Sequence, residues 1–426
     1  MPVERFGTRE YAGGVVHTPC VRAGKWVFGT GLRATLEDGR SDPGVLRPGR
    51  PLGVPPQAQR EAAAVFEAMA AHLRQAGSGL ERVARLDQYY PDARNVDPYH
   101  TARKKALAGQ VAPSTSVIVS RLLNVDASMD VQVLAATQAS GYQVQKAAAG
   151  GLNVPATSGY APHVRVGDMI FVAGQLARDA SGNLAAEAQV PAGQLWNGTR
   201  IQLETDYLVQ KRLAPALAAA GSELGLVLKA QVYLSHAEDL PAFWSTWSKA
   251  FGGRVPPTTV VPVKHPAFGT SAATIEVNIV AAHTSAASAV RDVECDVELI
   301  APDMLPARVF DGVLFVAGLM GISDGGAFGE AAADASAPFY RDAAHEQMRD
   351  ALAKAQKIFA AAGTDLSQVT RALQFHADLR EFRSAWLAWD TGLRRQGLPF
   401  SAVEVAPELF APGARVLVDL WGHVDA

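Results

Sequence analysis

Ala76-Gly77-Ser78-Gly79-Leu80 returns as Ala220-Gly221-Ser222-Glu223-Leu224 and again as Ala362-Gly363-Thr364-Asp365-Leu366, at intervals of 144 and 142 residues. Two further markers keep the same beat. One is an apolar run ending in glycine: KWVFGTGL at 25–32, MIFVAGQL at 169–176 and VLFVAGLM at 313–320. The other is a proline-led stretch: VAPSTSVIV from Val111, VPPTTVVPV from Val255 and LPFSAVEV from Leu398. Three markers in one order at one period predict three copies of one domain. The period is too long for a solenoid, because each copy can bury a core of its own.

The middle copy shows the shape of the unit. Val164–Val166 reads as a short strand before a turn, and Met169–Ala173 as a buried strand closed by Gly174. Between Thr199 and Ala220, Ile201, Leu203, Leu208, Leu213 and Leu217 fall at helical spacing, with Gly221 as the stop. Leu226–Leu234 is a strand, His236–Phe251 a second helix, and two strands follow at Thr258–Val263 and Thr274–Val280. The order β-β-α-β-α-β-β recurs in the other copies, with helices at 57–75 and 341–362 and strands at 82–90 and 368–376. The expected fold class is α+β, with two helices covering one sheet face. Domains are expected at 1–140, 150–284 and 293–426, joined by small-residue linkers near 139–158 and 284–292. The uncovered sheet faces need partners, and the sister copies can supply them.

A charged fraction of 19% against 48% hydrophobic residues describes a folded chain, not a disordered one. A formal charge of −3 gives no electrostatic footprint for nucleic acid. Two cysteines, Cys20 and Cys295, exclude a disulfide framework and fit a reducing compartment. Met1–Glu10 carries no apolar signal region and no stretch has the length of a membrane span, so a cytoplasmic location without membrane partners is expected. The ten histidines show no metal-binding spacing, and no cofactor motif is present. The aromatic series Phe243, Trp244, Trp247 and Phe382, Trp386, Trp389 has helical spacing and reads as core.

SGYAPHVRVGDMIFVAGQLARD from Ser158 resembles the N-terminal signature of the Rid proteins, the reactive intermediate (imine/enamine) deaminases. VPPTTVVPVKHPAFGTSAATIEVNIVAA from Val255 resembles their C-terminal signature. The resemblance is strong in the second copy, fair in the third and weaker in the first. It implies a covalent pseudo-trimer, alone or as a dimer of such particles, with clefts between copies 1/2, 2/3 and 3/1.

The resemblance also locates candidate site residues. The family's carboxylate-gripping arginine falls at Ser114, at Thr258, and at Phe400 or Ser401; none is arginine. Plain 2-imino acids are therefore expected to be poor substrates. The glutamate that holds the catalytic water maps to Gln132, Asn278 and Asp419, which makes Asp419 the natural general base. The early tyrosine maps to His17, Tyr160 and Leu305, and the glutamine of the SGQ motif is Gln175. His163 lies beside Tyr160. Arg33 and Arg178 could substitute for the lost cation, with surface placement the plainer reading. The first function this supports is a deaminase-like hydrolase, with water as nucleophile, acting on a small nitrogen-containing metabolite. The second is a non-catalytic binding or interaction module.

Overall fold

The computed structural model describes residues 2–425 except 12, 48–51, 110, 147–158, 196, 323–341, 394–395 and 407. The stretch expected to link the first two copies therefore lies largely outside the described residues.

Three units share one strand order. In unit one the core strands are Cys20–Ala23, Trp26–Leu32, Val83–Tyr90, Ser114–Ile118 and Asp130–Ala136, with helices Gln57–Gln75 and Val96–Ala106. Unit two uses His163–Val166, Met169–Gln175, Val227–Leu234, Thr258–Pro262 and Ile275–Ala282. Its first helical stretch runs Arg200–Tyr207, passes through a π-turn at Leu208–Leu213 and ends at Ala214–Ala219; its second helix is Leu240–Ala250. Unit three uses Ala307–Phe310, Val313–Val316, Val369–His376, Phe400–Glu404 and Val416–His423, with helices Ala343–Ala362 and Phe382–Gly392. In every sheet the last strand lies between the second and third, and the proline-led strand pairs in parallel with the third.

One element common to all three units escaped the sequence reading. A three-residue edge strand, Glu4–Phe6, Val144–Lys146 or Arg291–Val293, opens each sheet. Each is too short and too polar to show the alternation that marks a strand.

The helices cover one face of each sheet for the expected reason. Ala58, Ala62, Val65, Phe66, Met69 and Leu73 make one buried stripe on the first helix. Phe243 and Trp247, and Phe382, Trp386 and Trp389, are buried in the same layer of their units.

The opposite faces meet one another. Strand pairing makes Arg85, Lys229 and Arg371 equivalent, and likewise Tyr89, Tyr233 and Phe375. Tyr89 and Tyr233 hydroxyls are 2.9 Å apart, and the Tyr89 ring stands edge-on to Phe375 at 5.9 Å. These rings belong to one apolar cluster with members from all three units; Phe28, Phe171, Phe315 and Trp421 belong to a second. Along each middle strand the basic residue falls between these two layers.

Equivalent backbone contacts link the units in a closed cycle. Ala161 N donates to Val111 O (3.0 Å), Leu305 N to Val255 O (2.9 Å) and Thr18 N to Leu398 O (3.1 Å). The cycle predicts that sedimentation will find a particle of one chain, or a dimer of such particles. A particle of three chains would contradict it.

Candidate functional site

A cleft-like cavity of about 360 Å³ opens at the junction of units one and two. Unit one supplies Asp97 and His100 from the helix Val96–Ala106, and Ser114, Ser116 and Ile118 from its proline-led strand. Unit two supplies Tyr160, Gly174, Leu176, Arg178, Phe268 and Glu276. The lining has an apolar wall and a cluster of polar groups, the usual composition of a small-molecule site.

Each polar group is placed by the fold. Tyr160 pairs with Val111 of unit one, which brings its ring across the junction. Arg178 follows the glycine strand and is 6% exposed; its guanidinium donates to the Tyr160 hydroxyl at 3.3 Å. Ser114 Oγ accepts from the buried Arg103 (2.7 Å) and donates to Gln88 Oε1 (2.9 Å), while Ser116 Oγ also donates to Gln88 Oε1 (3.1 Å). Both serine protons are thus engaged behind the wall. His100 is held neutral: burial, then the charges of Arg103 and Lys104, pushes its pKa down to about 3.

Glu276 lies in the last strand of unit two, directly opposite Tyr233. It is 6% exposed, and burial pushes its carboxyl up to about 8; Arg178 pulls the other way and Asp87 adds to the rise. A Cβ at position 174 would overlap Glu276 Oε1, so the glycine there is what lets the carboxyl approach the neighbouring strand.

The equivalent positions at the other two junctions differ. Pairing equates Glu276 with Asp130 and Leu417. Asp130 is closed off by an ion pair to Arg33 (3.0 Å) and a hydrogen bond from Ser401 of unit three (2.9 Å). Burial still raises it to about 6 against the pull of Arg33. Nearby, His17 stands edge-on to Phe400 at 5.3 Å, which packs in turn on Trp386. At the 2/3 junction the acid is replaced by Leu417.

The structure brings only part of the expected site together. Tyr160 and Ser114 line the cavity. Pairing places Phe400, not Ser401, level with Ser114 and Thr258; Ser401 is level with Thr115 and Thr259. Thr258 is bonded toward the helices, accepting from Trp247 Nε1 (3.4 Å) and donating to Pro256 O (2.8 Å). The early tyrosine position in unit three is Met304, the bridge partner of Val255, rather than Leu305. His163 is buried in its strand opposite Val172, and Gln175 accepts from Arg212 (3.2 Å), away from the cavity lining. His17 is fixed between Tyr11 and the Thr30 carbonyl, its pKa pushed down to about 3 by burial and Arg33.

The Gln132, Asn278 and Asp419 positions are equivalent, as expected, and all three are spent on contacts between units. Asn278 Nδ2 donates to Thr115 Oγ1 (2.9 Å), and Gln132 Oε1 accepts from Arg371 (2.9 Å). Asp419 faces the neighbouring unit, as strand alternation requires, but holds Lys229 at 2.7 Å, Arg371 at 3.1 Å and the Thr259 hydroxyl at 2.5 Å. Burial acts to raise its pKa; Lys229 and Arg371 outweigh it and hold the carboxyl ionised below its usual range. With both oxygens committed to protein donors, Asp419 is an anchor and has no means to activate a water. Among the described residues, no group of three or more His, Cys, Asp or Glu could hold a metal ion.

Sequence reasoning passed over Glu276, His100 and Ser116; it named Arg178 as a possible substitute cation, with surface placement the plainer reading, and the structure buries it in the cavity lining. The available signal was the acid itself, alone in the apolar run Ile275–Val280 and on the same strand face as Asn278.

Two outcomes follow. Asp419→Asn should destabilise the chain by about 3–5 kcal/mol in denaturant melts, because Lys229 and Arg371 are left buried without their counter-charge. Glu276→Gln should do the reverse at high pH. The folded pKa lies above the unfolded value, so the native state holds the extra proton, and stability falls as pH rises from about 4.5 to about 8. The variant should match wild type near pH 4 and be clearly more stable at pH 9; equal alkaline stability would contradict the buried neutral acid.

Residues 151–283 match the family described as Endoribonuclease L-PSP. No curated protein matches the chain. Among solved structures, yeast Mmf1 is 18% identical, with 33% of this chain and 100% of that chain covered and a TM-score of 0.27. RidA from the Antarctic bacterium Psychrobacter sp. is 17% identical, with 32% and 98% covered and a TM-score of 0.26. A putative endoribonuclease from Thermotoga maritima is 27% identical, with 29% and 85% covered and a TM-score of 0.23. The family match is carried by the middle third of the chain, the second unit.

Proposed function

We propose that the chain is three Rid-like domains, at 1–140, 150–284 and 293–426, acting as a single-chain pseudo-trimer in the cytoplasm. Its function on this reading is deaminase-like hydrolysis of a small nitrogen-containing carboxylate at the 1/2 cavity. The observation that carries it is Arg178: a buried guanidinium that lines the 1/2 cavity together with the acid Glu276. Arg178 comes from a different strand than the family arginine, yet offers the same charge-assisted, forked recognition of a carboxylate. On this reading Arg178 is the substitute cation for the missing family arginine, and 2-imino acids are recognised through it. The formal charge of −3 and the cavity size favour a small molecule over RNA. The commitment of Gln132, Asn278 and Asp419 to structure favours the alternative, a binding module without turnover.

The test uses 2-oxobutyrate as a stable carboxylate probe in calorimetry. One molecule should bind per chain, and Arg178→Ala should weaken binding about 10–100-fold, the scale of a lost charge-assisted contact. Three equal sites, or binding indifferent to Arg178, would contradict the proposal. Ammonia release from 2-iminobutyrate, generated in place by an amino-acid oxidase, separates the two readings: catalysis above background supports the hydrolase, and binding without catalysis supports the module.

A further inference from the structure

Among the described residues six large apolar side chains stand exposed, and four of them belong to unit one: Leu36, Leu52, Val54 and Val125. Leu52 is 93% exposed and Val125 79%. The other two, Leu195 in unit two and Leu387 in unit three, have no such company. Single exposed apolar residues are ordinary, whereas a group of them marks an interaction surface.

The fold gathers the four at one end of the helix Gln57–Gln75. Gln57 Nε2 donates to Asp126 O (3.1 Å), which sets the loop of Val125 beside the helix start. Arg60, on the same turn, donates to Val45 O (2.9 Å), Leu46 O (3.1 Å) and Pro55 O, and so draws in the segment that carries Leu52 and Val54. Asn124 Nδ2 donates to Gly39 O (2.9 Å), which ties on the turn that carries Leu36. A groove of about 500 Å³ lies here, lined by Leu36, Leu46 and Val125 together with Arg47 and Asp126. Hydrogen bonds hold its walls, so little conformational freedom is lost when the groove is covered.

We infer that this groove is where a second copy of the chain docks, the two copies being related by a two-fold axis. The charges select that occupant. Arg47 and Asp126 are both exposed, and neither has an ion-pair partner among the described residues. A two-fold contact sets a surface against its own copy, so that each contact is made twice with the roles exchanged. Arg47 then meets Asp126 of the second copy, and Asp126 meets the second copy's Arg47, while the apolar side chains close against one another. A partner of one sign would satisfy one of these charges and repel the other. The four-residue patch occurs once in the ring, in unit one, so pairing is closed and does not propagate into a fibre. None of the residues lining this groove lines the 1/2 cavity, and the inference is independent of the functional reading.

The test is sedimentation of the full chain over a concentration series. Wild type should show a reversible equilibrium between one chain and two. Leu52→Asp and Val125→Asp should each raise the dissociation constant about 10–100-fold, because each places a charge in the apolar contact. Both positions are exposed in the single chain, so thermal melts should stay at the wild-type value and show that the variants are folded. Arg47→Asp and Asp126→Arg should each weaken pairing, and the two combined in one chain should restore it to within a few-fold, since the charges are then exchanged on both copies. Wild type that remains a single chain at about 0.1 mM, where even a weak specific pair forms, overturns the inference, even if the groove then takes up an apolar peptide. Pairing that ignores Leu52 and Val125, or a double exchange that fails to restore it, overturns it as well.

Discussion

Asp419 sits buried between cations from two units, and the geometry of the ring turns on that ion pair. Lys229 reaches it from unit two and Arg371 from its own unit, while Arg371 also donates to Gln132 of unit one. Removing so many charges from water is expensive, and the arrangement holds only because each partner is satisfied. Lys229 shows the same balance, its pKa lowered by burial against the restoring pull of Asp419. The apolar layers on either side supply the driving force. The polar layer fixes which strand faces which, because any slip would strand a charge.

Once the ring is fixed, its three junctions need not be alike, and a single chain can vary each separately. The position two residues before the Gln132/Asn278/Asp419 set shows how. It is an ion-paired aspartate at one junction, an open glutamate at another and a leucine at the third. The same strand geometry is thereby turned to a closed contact, an open acid and an apolar plug. Phe400 and His17 fill space at the 3/1 junction that Ser114 and Tyr160 leave open at 1/2.

The architecture was legible because its signals are local and thrice repeated. Gly174, Gly221 and Gly31 mark conformations or close approaches that recur with the chain's period, and the helix stripes follow spacing alone. The site was less legible because it is built across units. Asp419 reads as a free carboxylate until Lys229, 190 residues earlier by sequence, is seen against it. Arg178 opens a polar turn just past the strand Met169–Gln175, and its sequence neighbours point to the surface as readily as to a cavity. The one-residue ambiguity at Phe400 and Ser401 reflects a missing residue before Pro399, and only strand pairing resolves it.

A crystal structure of the chain grown with 2-oxobutyrate addresses the central claim most directly. The account predicts one ligand per chain, in the 1/2 cavity, its carboxylate on Arg178 and its carbonyl within hydrogen-bond reach of Glu276. A ligand at the 2/3 or 3/1 junction, or a 1/2 cavity left empty while the ligand binds elsewhere, would contradict it.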